Sequence, residues 1–423
     1  MALNRRDFIK ALGAAAAGSA LYGCAVGARP SGRVVVIGGG YGGATAAKYI
    51  RMWSNGGIDV TLVERNPAFV SCPMSNLVLA GVKTMEDITV SYDGLRRQGV
   101  RVVQGEAAAI DPDKRTVRLA SGETLGYDRL VVSPGIDFMW DLVPALNNAD
   151  AQARVLHAWK AGPQTVALRK QLEAMPDGGV FAISIPKAPY RCPPGPYERA
   201  CTVAHYFKTQ KPKSKVLILD ANEDVVSKKG LFMAAWNNLY KGMIEYRPQS
   251  ELRDVDVKAM TAILEFDKVK ADVLNVVPPQ RASDIAKNAG LITANDRWCG
   301  VDWLTLESTA RKNIHVLGDA TLSAPAMPKS GHMANQQAKV AAAAIVNLLA
   351  GQPVNDSPLV MNTCYSFVNA DNAMHVASVH AYDPKDKTFK TVPGSGGVSQ
   401  AASELEGKIA LAWAKNIWAD TLG

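Results

Sequence analysis

The chain has 423 residues, 48% of them hydrophobic and 20% charged, a balance ordinary for a soluble globular protein and a length that accommodates two or three domains, each with its own core. The formal net charge is +8, but Lys and Arg are scattered, with no basic run and no nucleic-acid motif, so nucleic acid is excluded as a partner. Internal repeats, metal-ligand spacings and Cys-x-x-Cys-His are all absent from the sequence, which excludes a resident metal and a c-type haem on this chain.

In chain order, the first legible feature is Asn4-Arg5-Arg6-Asp7-Phe8-Ile9-Lys10, followed by a mildly apolar Ala/Gly-rich stretch from Ala11 to Gly23. A twin arginine, a Phe and a Lys before a short apolar segment resemble a twin-arginine (Tat) export signal, and the segment is too short and too weakly apolar to span a bilayer. The expectation is export of a folded protein to the periplasm, with residues 1–28 as the signal and cleavage after Ala28. A competing reading takes Leu21-Tyr22-Gly23-Cys24 as a lipobox with a lipid anchor at Cys24.

Arg33 to Ile37 is a β-branched run that reads as a buried parallel strand, and the Gly38-Gly39-Gly40-Tyr41-Gly42-Gly43 segment after it leads into a helical pattern. A second strand, Asp59 to Val63, ends at Glu64 and Arg65. Gly38, Gly40 and Gly43 match G-x-G-x-x-G inside a βαβ unit. The first glycine permits the tight turn, the second lets backbone approach a pyrophosphate, and the third lets helix pack on strand. The pyrophosphate then meets the helix N-terminus, and Glu64, about 20 residues on, accepts from ribose hydroxyls. Tyr127 to Gly135, with Ser133 and Gly135 at its turn, resembles the second FAD motif of flavoproteins with two dinucleotide domains. Asn313 to Ala320, ending in Gly318-Asp319, resembles the third, in which the Asp bonds the ribityl chain.

Between those motifs lies a second α/β region with strands Gly179–Ile185 and Lys215–Asp220 and a helix over Tyr197–Lys208. The loop Pro186-Lys187-Ala188-Pro189-Tyr190-Arg191-Cys192-Pro193-Pro194-Gly195-Pro196 stands where relatives wrap a nicotinamide dinucleotide, yet it has no G-x-G-x-x-G and is stiffened by proline. The expectation is a dinucleotide fold that binds no nicotinamide.

Of six cysteines, Cys24 belongs to the signal region, leaving Cys72, Cys192, Cys201, Cys299 and Cys364. An odd number in an exported protein asks for a reason, and a covalent cofactor bond is one. Sequence alone does not fix a pairing, and Cys192–Cys201 and Cys201–Cys364 stay open beside Cys192–Cys364. Cys192 precedes a helix whose N-terminus is expected to lower a thiolate pKa.

Together these stretches resemble the flavoprotein subunit of flavocytochrome c sulfide dehydrogenase. The resemblance implies an α/β fold of two Rossmann-like dinucleotide-binding domains (glutathione-reductase-like) plus a smaller C-terminal α+β domain. The expected divisions are an FAD-binding domain over 33–145 and 286–358, a second dinucleotide-fold domain over 146–285 and a C-terminal domain over 359–423. Ser71-Cys72-Pro73-Met74-Ser75-Asn76 resembles the place where the family attaches FAD through a thioether, here Cys72 with Asn76 beside it. Cys192 and Cys364 resemble its redox-active disulfide. Met327 to Met333 resembles a flavin-contacting helix start, with Ser330 and Gly331 offering backbone N–H groups and Lys329 a positive charge. Glu198 stands where the family carries an acid/base; His332 reads as a packed histidine. Cys201 and Cys299 either bridge each other or remain buried thiols. Trp413 and Trp418, in a short C-terminal helix, are expected to pack against another subunit rather than a membrane.

The activity implied is periplasmic sulfide oxidation through the disulfide and FAD, with electrons passing to a mono- or di-haem c-type cytochrome subunit and no stable membrane insertion. The alternatives are a sulfide:quinone reductase and a redox partner that reactivates a periplasmic sulfur-oxidation protein. From the proline-rich loop it follows that NADH and NADPH leave the flavin oxidised in an anaerobic stopped-flow experiment; rapid bleaching would restore a nicotinamide site.

Overall fold

The computed structural model describes residues 31–423. The twin arginine, the cleavage point after Ala28 and Cys24 lie outside the described residues.

Strand β1 (Gly32–Ile37) leads through the glycine turn into helix α1 (Tyr41–Trp53), and β2 (Ile58–Glu64) returns parallel to β1. Helix α2 (Ser75–Leu79) and strands β3 (Arg101–Gln104) and β4 (Arg129–Val132) follow. β3 extends the sheet beyond β2, and β4 pairs parallel with the other side of β1. Val34, Val36, Leu62 and Val131 are essentially inaccessible, because helices and a small antiparallel meander over 107–126 cover both faces of a parallel sheet.

The second sheet is built from β5 (Val180–Ile185), helix α3 (Gly195–Gln210), β6 (Lys215–Asp220), helix α4 (Lys229–Leu239), β7 (Ile244–Arg247) and β8 (Val273–Val276). Its order is β7-β6-β5-β8, all parallel. The chain then returns to the first sheet with β9 (Ile314–Val316), parallel to β4. Helix α5 (Gly331–Leu349) packs on α1, its first turn capped by the Ser330 hydroxyl accepting from Met333 N at 3.0 Å. β10 (Leu359–Phe367), β11 (Ala373–Asp383) and β12 (Thr388–Thr391) form an antiparallel sheet, and α6 (Glu404–Leu422) closes the chain.

Helix α6 differs from expectation. It is 19 residues long and spends its inner face on its own chain. Lys48 donates to the carbonyls of Ala419 and Asp420, Tyr49 donates to Asp420, and Trp418 Nε1 donates to Tyr41 Oη at 3.0 Å. Trp413 packs against His332 and Tyr365. Both indoles are therefore half-buried parts of this chain's own core. Among the described residues no helix is long and apolar enough to cross a membrane.

The glycine turn is sterically committed. Gly38 has φ +94°, and a Cβ there would stand 2.3 Å from the Ser133 carbonyl oxygen. A Cβ on Gly43 would stand 1.9 Å from the Gly38 oxygen, whereas one on Gly40 would meet nothing within 4 Å. Gly43→Ala is expected to lose at least about 1–3 kcal/mol of stability through overpacking, measured by thermal unfolding. Gly40→Ala should leave the flavin-free protein's unfolding temperature almost unchanged while weakening FAD retention, because the space it fills is the cofactor's.

Candidate flavin and sulfur site

The end of the first sheet is shaped for a dinucleotide. Glu64 Oε2 accepts from Gly39 N at 2.6 Å, and its other oxygen accepts from Asn66 N at 2.8 Å, which fixes the carboxylate beside the glycine turn; Arg65 is exposed beyond it. Gly135 has φ +70° and open space where a Cβ would stand. Gly318, at φ +75°, donates its N–H to Gln337 of α5 and lies 3.7 Å, measured from an added Cβ, from the Ser133 hydroxyl. Asp319 Oδ1 is buried without a partner, although buried acceptors are nearly always satisfied. An orphaned acceptor just after β9, in a chain with open space at Gly40 and Gly135, fits an FAD whose ribityl hydroxyls would donate to it.

Tyr41 lies between this cradle and the thiol segment. Its hydroxyl is 2.7 Å from Ser71 Oγ, and its ring stands edge-on to Phe69 and against Gly331, where a Cβ would clash at 2.8 Å. Ser71 also donates to Pro73 O at 2.7 Å. Cys72 is thereby held half-buried, and Arg191 Nη2 donates to its sulfur at 2.8 Å. Arg191 also donates to Trp159 O and has Nη1 4.0 Å from Asp319 Oδ2.

The loop from 186 to 196 turns toward the start of α5. Cys192 has φ +56° and donates its N–H to Lys329 O at 2.7 Å. The next residue but one after Lys329 opens α5, and Ser330 Oγ donates to Asn362 Oδ1 at 2.6 Å. Asn362 Nδ2 in turn donates to Cys364 Sγ at 3.3 Å. Two cysteines from distant segments are thus carried to the same helix start, close enough that the negative charge of Cys364 adds to burial in raising the Cys192 pKa. All five described cysteines are free, Cys192 and Cys364 among them, so the structure shows that pair in its reduced form. Cys201 and Cys299 are fully buried, on α3 and on a short strand.

The helix-start effect expected to lower Cys192 does not prevail. Loss of water raises its pKa, and the negative charges of Cys364 and Glu198 push the same way, against Arg191. A helix terminus supplies a modest, fixed charge, which desolvation and two anionic neighbours outweigh. Glu198 accepts from Asn76 Nδ2 at 2.9 Å and from Phe367 N at 2.9 Å, and its pKa is raised by burial in spite of both bonds. It therefore sits between α2, α3 and β10, within electrostatic reach of both sulfurs.

Lys329 is 5% exposed. Its ammonium donates to the carbonyls of Asp319 and Thr321 and lies 3.7 Å from the Trp298 ring centroid; burial lowers its pKa to about 8. Those partners hold the ammonium on the backbone of residues 319 and 321. His332 Nδ1 accepts from Thr363 N at 3.0 Å, and burial lowers its pKa to about 4, so it is a neutral packing histidine. Sequence reading missed three buried or half-buried cations: Arg191, Arg199 and Lys228. Arg191 adjoins Cys192, and that adjacency was the available signal; nothing local marks the other two.

The chain matches the family model "Sulfide dehydrogenase [flavocytochrome c] flavoprotein chain, central" over residues 165–278 and "Flavocytochrome c sulphide dehydrogenase, flavin-binding" over residues 356–422. Residues 32–162 match the pyridine nucleotide-disulphide oxidoreductase model, and residues 2–22 match the twin-arginine translocation signal. The flavoprotein chain of sulfide dehydrogenase from Chlorobaculum thiosulfatiphilum is 61% identical over 46 residues, which is 11% of this chain and 94% of that sequence. Mitochondrial sulfide:quinone oxidoreductase from Mus musculus is 24% identical over 68% of this chain, and the match spans 65% of the mouse protein, just under two thirds of its length. The sulfide:quinone oxidoreductase structure from Aquifex aeolicus superposes with a TM-score of 0.74 at 20% identity, covering 92% of this chain and 91% of that one, a likeness of fold. The glycine cradle, the thiol segments and these matches agree, and the chain belongs to the flavoprotein chains of flavocytochrome c sulfide dehydrogenase, as an exported FAD oxidoreductase.

Proposed function

We propose that this chain oxidises sulfide in the periplasm through a Cys192–Cys364 disulfide and passes the electrons to a c-type cytochrome subunit. The observation that carries this reading is the convergence of Cys192 and Cys364, from the second sheet's loop and from β10, at the start of α5 with Glu198 beside them. FAD, when bound, accepts an electron pair and returns electrons singly. The residues that would hold it are Gly38, Gly40, Tyr41, Gly43, Glu64, Ser133, Gly135, Gly318, Asp319 and the backbone of Ser330-Gly331, with Cys72 as the thioether attachment.

Hydrosulfide attacks one sulfur of the disulfide. A new S–S bond forms to that cysteine as a persulfide, the old S–S bond breaks, and the other cysteine leaves with the electron pair as a thiolate. Glu198, whose raised pKa comes from burial, takes the proton of the incoming sulfide and returns it when product leaves. The proline-rich loop supports an acceptor other than nicotinamide, and the export signal supports a periplasmic haem protein. Sulfide:quinone oxidoreductases among the relatives favour quinone as the second reading. An assay offering reduced-flavin enzyme a c-type cytochrome or a soluble quinone decides between them: cytochrome reduction alone supports the proposal, and quinone reduction alone replaces it.

Two outcomes are expected. Acid-precipitated protein stays yellow, and a peptide containing Cys72 gains the flavin mass, while Cys72→Ala binds FAD that acid releases. Cys192→Ser and Cys364→Ser each abolish sulfide-driven flavin bleaching with the covalent flavin retained, Glu198→Gln slows it by about 10²–10⁴-fold, and Cys201→Ser leaves the rate near wild type.

A further inference from the structure

Lys228 is a cation with no role in the site so far. It is 7% exposed and adopts φ +53° just before α4. A left-handed conformation in a non-glycine residue and a buried charge are both unfavourable, and such strain persists where the surroundings over-determine it. Its Nζ donates to Cys364 O at 2.9 Å and to Ser366 Oγ at 2.8 Å, and lies 5.8 Å from the ring centroid of Phe232 in α4. The charged and titratable groups facing it are Cys364 from β10, Glu198 from α3, Cys192 from the proline-rich loop and Glu406 from α6.

The two sulfurs of the pair are therefore in unlike surroundings. Burial raises the pKa of Cys364 and Glu198 pushes the same way, but against them Cys364 Sγ has the Lys228 charge beside its own carbonyl and accepts from Asn362 Nδ2. Cys192 faces Glu198, with Arg191 opposing it, but the Arg191 donors are committed to Cys72, Trp159 O and Asp319. The charges of Arg199 and Lys228 also reach Cys192, yet Arg199 spends its donors on Asn76, Asn275, His157 O and Ala158 O, and Lys228 spends its own on the segment that carries Cys364. When a disulfide opens, the sulfur whose thiolate is better stabilised leaves.

We propose that Lys228 is a positioning residue that makes Cys364 the sulfur released as thiolate, so that hydrosulfide attacks Cys192 and the persulfide forms there. The inference rests on the disulfide reading above. Its step balances: the Cys192–Cys364 bond breaks, a Cys192–sulfide bond forms, and the electron pair goes to Cys364 beside the Lys228 ammonium, with no further oxidant.

The test uses the flavin-loaded protein. A non-reduced peptide map first establishes whether Cys192 and Cys364 are joined; if they are not, the disulfide reading fails, whatever Lys228 does. If they are, the protein is reduced with dithiothreitol, desalted and treated with iodoacetamide across a pH series, and the modified peptides are quantified by mass spectrometry. Cys364 is expected to react ahead of Cys192 at pH 7. Lys228→Met, with flavin absorbance as the check on folding, is expected to slow Cys364 modification about tenfold at pH 7 and to move its profile up by about one pH unit; Lys228→Arg keeps the charge and restores the profile. A wild-type protein in which Cys192 reacts first, or a Lys228→Met protein with an unaltered Cys364 profile, overturns the proposal. Should Lys228→Met fail to fold, the wild-type order of modification and the location of the persulfide after brief sulfide exposure decide it: a persulfide on Cys364 overturns it, and one on Cys192 supports it.

Discussion

Arg199 holds the two sheets together at the point where the site is built. It is 2% exposed, and every donor it uses ends on an acceptor from a different segment. Nε donates to Asn76 Oδ1 of α2, Nη1 to Asn275 Oδ1 of β8 and to His157 O, and Nη2 to Ala158 O. The guanidinium also lies over the Trp159 ring. Burial lowers its pKa to about 10, which still leaves it charged at neutral pH. A buried charge without its partners costs several kcal/mol, so the thiol segment, the crossover between the sheets and the second sheet are fixed relative to one another. Asn76 completes the arrangement: its oxygen serves Arg199 while its nitrogen donates to Glu198.

The same βα turn is used in two ways. In the first sheet the β1–α1 turn is all glycine and tyrosine, and the space above Gly40 is left for a phosphate. In the second sheet the β5–α3 turn is rigid, and its one left-handed residue is Cys192. Arg191 directs its guanidinium to Cys72 and Asp319, while Cys192 donates its backbone N–H to Lys329 just before α5. The second turn thus carries a sulfur, where the first leaves open space above a glycine.

The C-terminal segment is a structural partner of the first sheet as well as the source of Cys364. Helix α6 reaches back to α1 through Asp420, which accepts from Tyr49, Asn335 and Lys339. Trp418 bonds Tyr41, the tyrosine of the glycine turn. The part of α6 that carries Trp413 and Trp418 packs on its own chain, while Leu405 and Ile409 near its start stay exposed.

The sequence by itself determined the first sheet, the glycine turn and the cofactor class, since G-x-G-x-x-G between two apolar strands with Glu64 after it answers to local sterics and local charge. The lack of a cradle between Pro186 and Pro196 was equally readable, because proline and glycine act on their own backbone. Candidate sulfurs could be named from the chain, but their surroundings could not. The lowering expected at Cys192 from the following helix is reversed by burial and by Cys364 and Glu198, groups that only folding brings near. Lys228 and Arg199 carry no motif at all. Their importance comes from being buried against acceptors more than a hundred residues away in the case of Cys364, and desolvation, which sets the cost and the use of a buried charge, is decided by every layer packed around it and so only by the tertiary structure.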